Sequence, residues 1–337
     1  MNKLVPLLLL AVLTPFCARG QQAGGTLTGA LASQGLAGAK LERRYGNHLL
    51  LPVSINNRRG MLMIDTGSPI TLIDRNSVNT FGLTVEKTDS SVGGLFGRAW
   101  ERYGMSKVKS IAMGNCMVTN VPVAIADLSG MNPEHNAAST GSHLSDSKTM
   151  AHVNGALGAR EMVKFGMIID CTRQMLYINP NGASSAVSQS LAGFLAGHGF
   201  TRIPMRLNAN NHFDVEGALN GHQTRLIIDT GSANTLIDTQ VAVKSGTGVT
   251  ALAGYGAGGA GNLVEGVNRT GVKELAIGNF KLANAEVVVA HVSGDILLSK
   301  STAETNAGVL GQDYLATNFA VIDMGGKALY LRHPDSR

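Results

Sequence analysis

Two nearly identical segments, Met63–Asp74 and Ile227–Asp238, constrain the fold of this chain more than any other feature. Each is an apolar run that ends in an aspartate, Asp65 or Asp229, followed directly by Thr-Gly-Ser. The segments lie 164 residues apart, and a segment that returns at a fixed spacing indicates an internal repeat. Two such copies can bring one aspartate from each together at a pseudo-twofold axis.

The repeat extends well beyond these segments. The matched pairs are His48 with His212, Asn56 with Asn220, Val108–Asn115 with Val272–Asn279, and Gly155–Gly158 with Gly308–Gly311. The last pair is spaced by 153 residues rather than 164, so the first copy carries 11 extra residues between Met131 and Asn154. A longer loop is tolerated because closure entropy grows slowly with length. We interpret the chain as the product of a gene duplication.

Composition favours two glycine-rich β domains. The chain has 337 residues, of which 44% are hydrophobic, 15% are charged and 42 are glycine, which favours a β-rich, turn-rich globular protein. The repeat places one lobe at residues 42–180 and the other at 200–334. Residues 21–41 are expected to form a flexible leader, and residues 181–199 a linker between the lobes.

The first twenty residues have the pattern of a secretory signal. Lys3 precedes an apolar run, Leu4–Leu13, and Ala18-Arg19-Gly20 offers small residues to a signal peptidase. We therefore expect an exported protein, periplasmic or secreted, with retention of the segment as an anchor as the alternative. No later stretch has the roughly 18 apolar residues of a membrane helix, so no stable membrane span is expected after cleavage.

Other composition-based functions are not favoured. The net charge of +5 is spread over scattered basic residues without interleaved aromatics, so nucleic-acid binding is not expected. His135, His143 and His152 lack the spacing of metal ligands, and no metal or other cofactor is expected. Cys116 and Cys171 are compatible either with a disulfide in an exported chain or with two small apolar side chains.

Local patterns predict secondary structure in both copies. Alternation and β-branched residues predict strands, including Met167–Ile178 and Phe319–Leu331. Asn56-Asn57 and Asn220-Gly221 predict hairpin turns. Short helices are predicted after each Leu-Gly, at Ala159–Lys164 and Gln312–Thr317.

The residues around each aspartate suit a paired carboxylate site. Gly67 and Gly231 lack Cβ, so the two turns can approach closely. Thr66 and Thr230 offer hydroxyls that can bond across the interface, and Ser68 and Ser232 can donate to the carboxylates. Two adjacent carboxyl groups share a proton, so that one accepts a proton from water while the other donates to a substrate carbonyl.

Asp-Thr-Gly-Ser followed later by two apolar residues and glycine resembles the aspartic peptidase family. The later matches are Ala156-Leu157-Gly158 and Val309-Leu310-Gly311, and the similarity spans nearly all of residues 45–334. The resemblance implies an all-β fold with two pseudo-symmetric, barrel-like lobes, similar to a retropepsin-like dimer fused into one chain. The usual disulfide pattern of the two-lobed pepsin-like enzymes is missing. Leu157, Gly158, Leu310 and Gly311 would pack beside the site.

The resemblance also implies a catalytic role for Asp65 and Asp229 in an endopeptidase. The partner would be an extended polypeptide substrate, and the enzyme would act as a monomer. Glycine-rich flaps would close over the substrate; the candidates are Gly93, Gly94, Tyr255, Gly256, Gly258 and Gly259. Two alternatives are a non-catalytic peptide-binding protein and a structural envelope protein that keeps the fold.

Overall fold

The computed structural model describes residues 25–44, 47–87, 104–128, 132, 152–247, 257–259, 262–264, 268–291 and 306–334. Strands dominate this part of the chain, and the helices are short. The prediction of an all-β chain with two pseudo-symmetric, barrel-like lobes is confirmed.

The strands of the first half are β1 (Ala37–Lys40), β2 (Glu42–Arg44), β3 (His48–Ile55), β4 (Arg58–Ile64), β5 (Leu72–Asp74), β6 (Glu86–Lys87), β7 (Gly104–Met113), β8 (Cys116–Ala126), β9 (Gly155–Leu157), β10 (Ile168–Asp170) and β11 (Met175–Ile178). Those of the second half are β12 (Thr201–Pro204), β13 (Arg206–Leu207), β14 (Phe213–Leu219), β15 (His222–Ile228), β16 (Leu236–Asp238), β17 (Ala257–Gly259), β18 (Asn262–Val264), β19 (Asn268–Ile277), β20 (Phe280–Ala290), β21 (Asn306–Leu310), β22 (Val321–Asp323) and β23 (Ala328–Leu331). The helices are α1 (Leu27–Ala32), α2 (Ala159–Lys164), α3 (Ser185–Ala196), α4 (Thr239–Lys244) and α5 (Gln312–Thr317), with a 3₁₀ turn at Arg75–Ser77.

Each lobe is a sheet that closes on itself. The first runs in the order β2-β3-β4-β9-β5-β8-β7-β6 and closes through β3 and β7; the second runs β13-β14-β15-β21-β16-β20-β19 and closes through β14 and β19. Because strand side chains alternate between faces, Leu49 and Leu51 of β3 enter the barrel core while Leu50 joins a separate apolar cluster. The main core is therefore built from one face of each strand.

A third sheet joins the lobes. Its order is β1-β11-β10-β22-β23-β12, and β10 pairs antiparallel with β22 at its centre, with Ile169 opposite Ile322. These two isoleucines are a matched pair of the repeat, so the pseudo-twofold axis passes between the two strands. The joint between the lobes is thus continuous hydrogen-bonded sheet.

Residues 25–41, expected to be flexible, instead form α1 and β1. Leu27 and Leu31 of α1 are buried against Leu191 and Leu195 of α3, a helix within the predicted linker. These leucines match at the spacing of 164 residues, so the repeat starts earlier than the sequence reading placed it. Glycine and alanine suggested a loop, but the buried leucines stabilise both helices by removing apolar surface from water.

Most local predictions are confirmed. The helices α2 and α5 have the predicted bounds, and Asn56, Asn57, Asn220 and Gly221 have the positive φ angles of tight hairpin turns. The predicted single strand Met167–Ile178 was wrong: it is two strands joined by a turn. Phe319–Leu331 divides in the same way, between β22 and β23.

Cys116 and Cys171 are both free and buried, so they do not form a disulfide. Within the described ranges, no helix is long and apolar enough to cross a membrane. The same part of the chain contains no cluster of three or more side chains suited to a metal ion.

Candidate active site

Each aspartate directly follows a buried strand that is hydrogen-bonded to a parallel strand of the same lobe. β4 pairs with β9 and places Ile64 opposite Leu157, while β15 pairs with β21 and places Ile228 opposite Leu310. The Asp65 N–H donates to the Leu157 carbonyl at 3.1 Å. The Asp229 N–H donates to the Leu310 carbonyl, also at 3.1 Å. Both carboxylates therefore start from a fixed backbone position.

The two turns are locked together by a reciprocal set of four hydrogen bonds. The Thr230 hydroxyl accepts from the Thr66 N–H at 3.0 Å and donates to the Ile64 carbonyl at 2.8 Å. The Thr66 hydroxyl accepts from the Thr230 N–H at 3.0 Å and donates to the Ile228 carbonyl at 2.7 Å. Both threonines are almost fully buried. The hydroxyls thus serve backbone groups of the opposite lobe, in the arrangement expected of them.

The glycines allow each turn to rest on the other lobe's aspartate. A Cβ on Gly67 would lie 2.5 Å from Asp229 Cγ, and a Cβ on Gly231 would lie 2.6 Å from Asp65 Cγ. No real side chain tolerates such contacts. The structure therefore brings Asp65 and Asp229 side by side, and both remain partly exposed.

Burial raises the pKa of both carboxyl groups. The pKa of Asp65 lies well above its ordinary value of 3.8, chiefly through burial and then through the charge of Asp229. Burial raises the pKa of Asp229 to about 6. A hydrogen bond joins the two carboxyls, so their titrations are coupled. Such a pair can hold one proton between its two carboxyl groups.

Backbone N–H groups, rather than serine hydroxyls, contact the carboxylates. The Ser68 N–H donates to Asp65 Oδ1 at 3.0 Å, and the Gly231 N–H donates to Asp229 Oδ1 at 2.8 Å. The expectation that the hydroxyls of Ser68 and Ser232 donate to the carboxylates is wrong. Each hydroxyl turns away and donates to the carbonyl two residues on, at 2.8 Å in both lobes.

Gly158 and Gly311 pack against the backbone of the segment that follows each aspartate. A Cβ on Gly158 would lie 2.3 Å from the carbonyl carbon of Ile70, and a Cβ on Gly311 would lie 2.4 Å from that of Asn234. The next residue in each lobe donates its N–H to the carbonyl of Ser68 at 2.8 Å or of Ser232 at 2.9 Å. The start of each short helix therefore packs against the segment after the aspartate and donates a backbone hydrogen bond to it.

Two acidic residues that the sequence reading missed complete this support. In the first lobe the Thr71 hydroxyl donates to Glu161 Oε2 at 2.6 Å. In the second lobe the Thr235 hydroxyl donates to Asp313 Oδ1 at 2.8 Å. In repeat register Glu161 matches Tyr314, so the two acids sit one position apart and escape a search for identical pairs. Both short helices have an acidic residue in their first turn, and this shared feature could have identified the two residues from the sequence.

The proposed flaps fall mostly outside the described residues. Gly93, Gly94, Tyr255 and Gly256 lie outside them. Gly258 and Gly259 lie in β17, which pairs antiparallel with β18 in a two-stranded ribbon. The flap roles of all six residues stay a prediction.

Comparison with known proteins identifies a family. The sequence profile described as aspartyl protease matches twice, over residues 51–159 and 215–314. Among curated proteins, none matches this sequence. One similar solved structure is a retropepsin-like aspartic protease from Rickettsia conorii, with 14% identity, a TM-score of 0.28, and coverage of 43% of this chain and 90% of that one. Another is an aspartic proteinase from Irpex lacteus, with 13% identity, a TM-score of 0.48, and coverage of 89% and 98% respectively.

Proposed function

The chain belongs to the aspartyl protease family, and we propose that it is an endopeptidase in which Asp65 and Asp229 together activate a water molecule. The observation that carries this proposal is the contact of two partly exposed carboxyl groups with raised pKa values at the axis between the lobes. Four buried cross-lobe hydrogen bonds hold that geometry.

The shared proton gives the two carboxyls complementary roles. The ionised Asp229 accepts a proton from a water placed between the carboxyls, while Asp65 donates its proton to the oxygen of the scissile carbonyl. The water oxygen attacks the carbonyl carbon and forms a tetrahedral diol. The proton held by Asp229 then passes to the leaving nitrogen, the carbon–nitrogen bond breaks, and one diol hydroxyl returns its proton to Asp65. No covalent enzyme intermediate is needed.

The substrate proposed is an extended polypeptide that lies between the lobes. A single chain supplies both aspartates, so a monomer contains the whole catalytic pair, as a fused dimer would. The ribbon of β17 and β18 in the second lobe has the antiparallel pairing of a flap arm. Backbone groups of such a ribbon hydrogen-bond to an extended peptide irrespective of its side chains.

Export is part of the proposal and depends on the sequence of the first twenty residues, from Lys3 to Gly20. Mass spectrometry of protein expressed with its full N-terminus would test it directly. We expect a mature N-terminus at Gln21. An intact N-terminus in the membrane fraction would instead favour retention as an anchor.

The activity is tested by incubating residues 21–337 with a diverse peptide library from pH 3 to 8. We expect internal cleavage by the wild type and none by Asp65→Asn, since asparagine cannot take part in the proton exchange. Folded wild-type protein that cleaves nothing at any pH, yet binds peptides, would favour the non-catalytic binding protein.

A further inference from the structure

Gln312, the first residue of α5, has a side chain that the proposed chemistry does not use. The residue is buried, at 0% exposure. Its Nε2 donates to the Thr230 carbonyl at 3.4 Å, and its Oε1 accepts from Arg43 Nη1 at 3.2 Å. Because a guanidinium only donates and a carbonyl only accepts, the two contacts fix the orientation of the amide. Gln312 therefore links β2 of the first lobe to the Asp229 turn of the second.

The peptide that Gln312 reaches is also the one that contacts Asp229. The Thr230 carbonyl and the Gly231 N–H belong to the same peptide group, and that N–H donates to Asp229 Oδ1 at 2.8 Å. Hydrogen bonds in series polarise one another, so a peptide whose carbonyl accepts a hydrogen bond becomes a stronger donor at its N–H. A network of three hydrogen bonds thus joins the guanidinium of Arg43 to the carboxylate of Asp229.

The Arg43 guanidinium is held in place by neutral oxygen atoms. Its Nη1 also donates to the Asn47 carbonyl at 2.8 Å and to Asn47 Oδ1 at 2.6 Å, and its Nη2 donates to the Cys171 carbonyl. Among the residues that the structure describes, no carboxylate is bound to this guanidinium. Its positive charge is therefore not neutralised by an ion pair there, and it polarises the Gln312 amide.

The described part of the first lobe has no equivalent of this network. In repeat register Gln312 matches Ala159, and Arg43 matches Leu207. Alanine has no donor to offer to the Thr66 carbonyl, and Leu207 is exposed on β13. The two turns are thus alike in fold but different in the groups that lie behind their carboxylates.

We propose that Arg43 and Gln312 are positioning residues for Asp229: through the Thr230–Gly231 peptide they favour its ionised form, and so make Asp229 rather than Asp65 the base of the pair. This inference rests on the proposed function. Hydrogen bonds donated to a carboxylate, and a positive charge that strengthens them, oppose its protonation.

The titratable groups that lie beside Asp229 and Arg43 are Asp65, Asp170, Cys171, Glu42 and Arg44. Burial raises the pKa of the Cys171 thiol to about 12, so this group is neutral. Asp170 is paired with Arg173 at 3.1 Å. Glu42 is paired with Arg44 at 2.7 Å. Asp65 is thus the group whose titration must be removed before that of Asp229 can be measured alone.

The titration of Asp229 in an Asp65→Asn background tests the proposal without any need for activity. Carbon-13 NMR of labelled aspartate carboxyl groups follows it. Gln312→Met keeps the length of the side chain but cannot donate. We expect it to raise the pKa of Asp229 by roughly half a pH unit, which is a threefold change in proton affinity and the lower end for one net hydrogen bond. Arg43→Leu should raise the same pKa, and Arg43→Lys, which keeps the charge, should restore most of it.

The matched control is Gln312→Met in an Asp229→Asn background, where Asp65 is the remaining carboxyl of the pair. The pKa of Asp65 should not change. Circular dichroism checks the fold of each variant, and Gln312→Ala, which copies the first lobe, replaces any methionine variant that does not fold. An Asp229 titration that Gln312→Met leaves unchanged, or an equal shift of Asp65, would overturn the proposal.

A double variant shows whether Arg43 acts through Gln312. If it does, Arg43→Leu combined with Gln312→Met shifts the pKa of Asp229 no further than Gln312→Met alone, because the two side chains belong to one network. Shifts that add would refute the network.

The pH profile of cleavage tests the same residues in the enzyme with both aspartates intact. We expect the acid limb of kcat/KM to move to higher pH by roughly half a pH unit in Gln312→Met and in Arg43→Leu, and to return in Arg43→Lys. A limb that moves in none of these variants would contradict the role assigned to Asp229. A wild type that cleaves nothing would refute the proposed function, whereas the NMR titration would still decide whether this network acts on Asp229.

Discussion

Thr230→Val is expected to be among the most damaging single substitutions that leave both aspartates intact. Valine has nearly the shape of threonine but lacks the hydroxyl, which accepts from the Thr66 N–H and donates to the Ile64 carbonyl. Both of those residues are buried, at 1% and 0% exposure. A buried polar group left without a partner costs about 1–3 kcal/mol, so the two together give about 2–6 kcal/mol.

Urea denaturation followed by tryptophan fluorescence or circular dichroism measures this loss. Thr230→Ser is the matched control, since it keeps the hydroxyl and removes one methyl group worth about 1 kcal/mol. Thr66→Val should cost about as much as Thr230→Val, because its hydroxyl makes the reciprocal pair of bonds. A valine variant that is no less stable than the serine variant would refute the reasoning.

Three further outcomes are expected. A carboxyl whose pKa is raised in the folded state stabilises the protein at low pH, and this stabilisation is lost as the pH rises through the raised pKa. For Asp229, whose pKa rises from 3.8 to about 6, the unfolding free energy should fall by about 3 kcal/mol between pH 4 and 7. Thermal denaturation should show a smaller loss of stability over this pH range in Asp65→Asn. Gly231→Ala should abolish cleavage of a peptide that the wild type cuts, because the added Cβ would lie 2.6 Å from Asp65 Cγ. Gly193→Ala is the control and should leave cleavage unchanged, because the space around its Cβ is open. Glu161→Ala should lower the unfolding free energy, measured in urea, by about 1–3 kcal/mol, because the buried Thr71 N–H and hydroxyl lose their acceptor. A change of less than about 0.5 kcal/mol, which is typical of surface substitutions, would count against that contact.

The two Asp-Thr-Gly turns were predictable because the residues that form them are adjacent in the sequence and occur twice. A strand, an aspartate and a Thr-Gly turn specify the position of the carboxylate without knowledge of distant contacts. The hairpins at Asn56 and Asn220 were predictable for the same reason, since asparagine tolerates positive φ. The duplication then indicated which two turns lie together in the folded protein.

Other features depend on tertiary contacts that composition conceals. α1 and α3 contain glycine and small residues typical of loops, and the shared buried cluster of Leu27, Leu31, Leu191 and Leu195 stabilises them as helices. The serine hydroxyls follow the local turn geometry, which directs them to a nearby carbonyl.

The joint action of the two aspartates is tested most directly by the cleavage rates of Asp65→Asn, Asp229→Asn and the double variant on one peptide substrate. Residues that act as a unit give non-additive losses, so each single variant is expected to lose at least about 10³-fold in kcat/KM and the double variant to lose scarcely more. A single variant that keeps a tenth or more of the wild-type rate, or losses that multiply in the double variant, would contradict a catalytic pair.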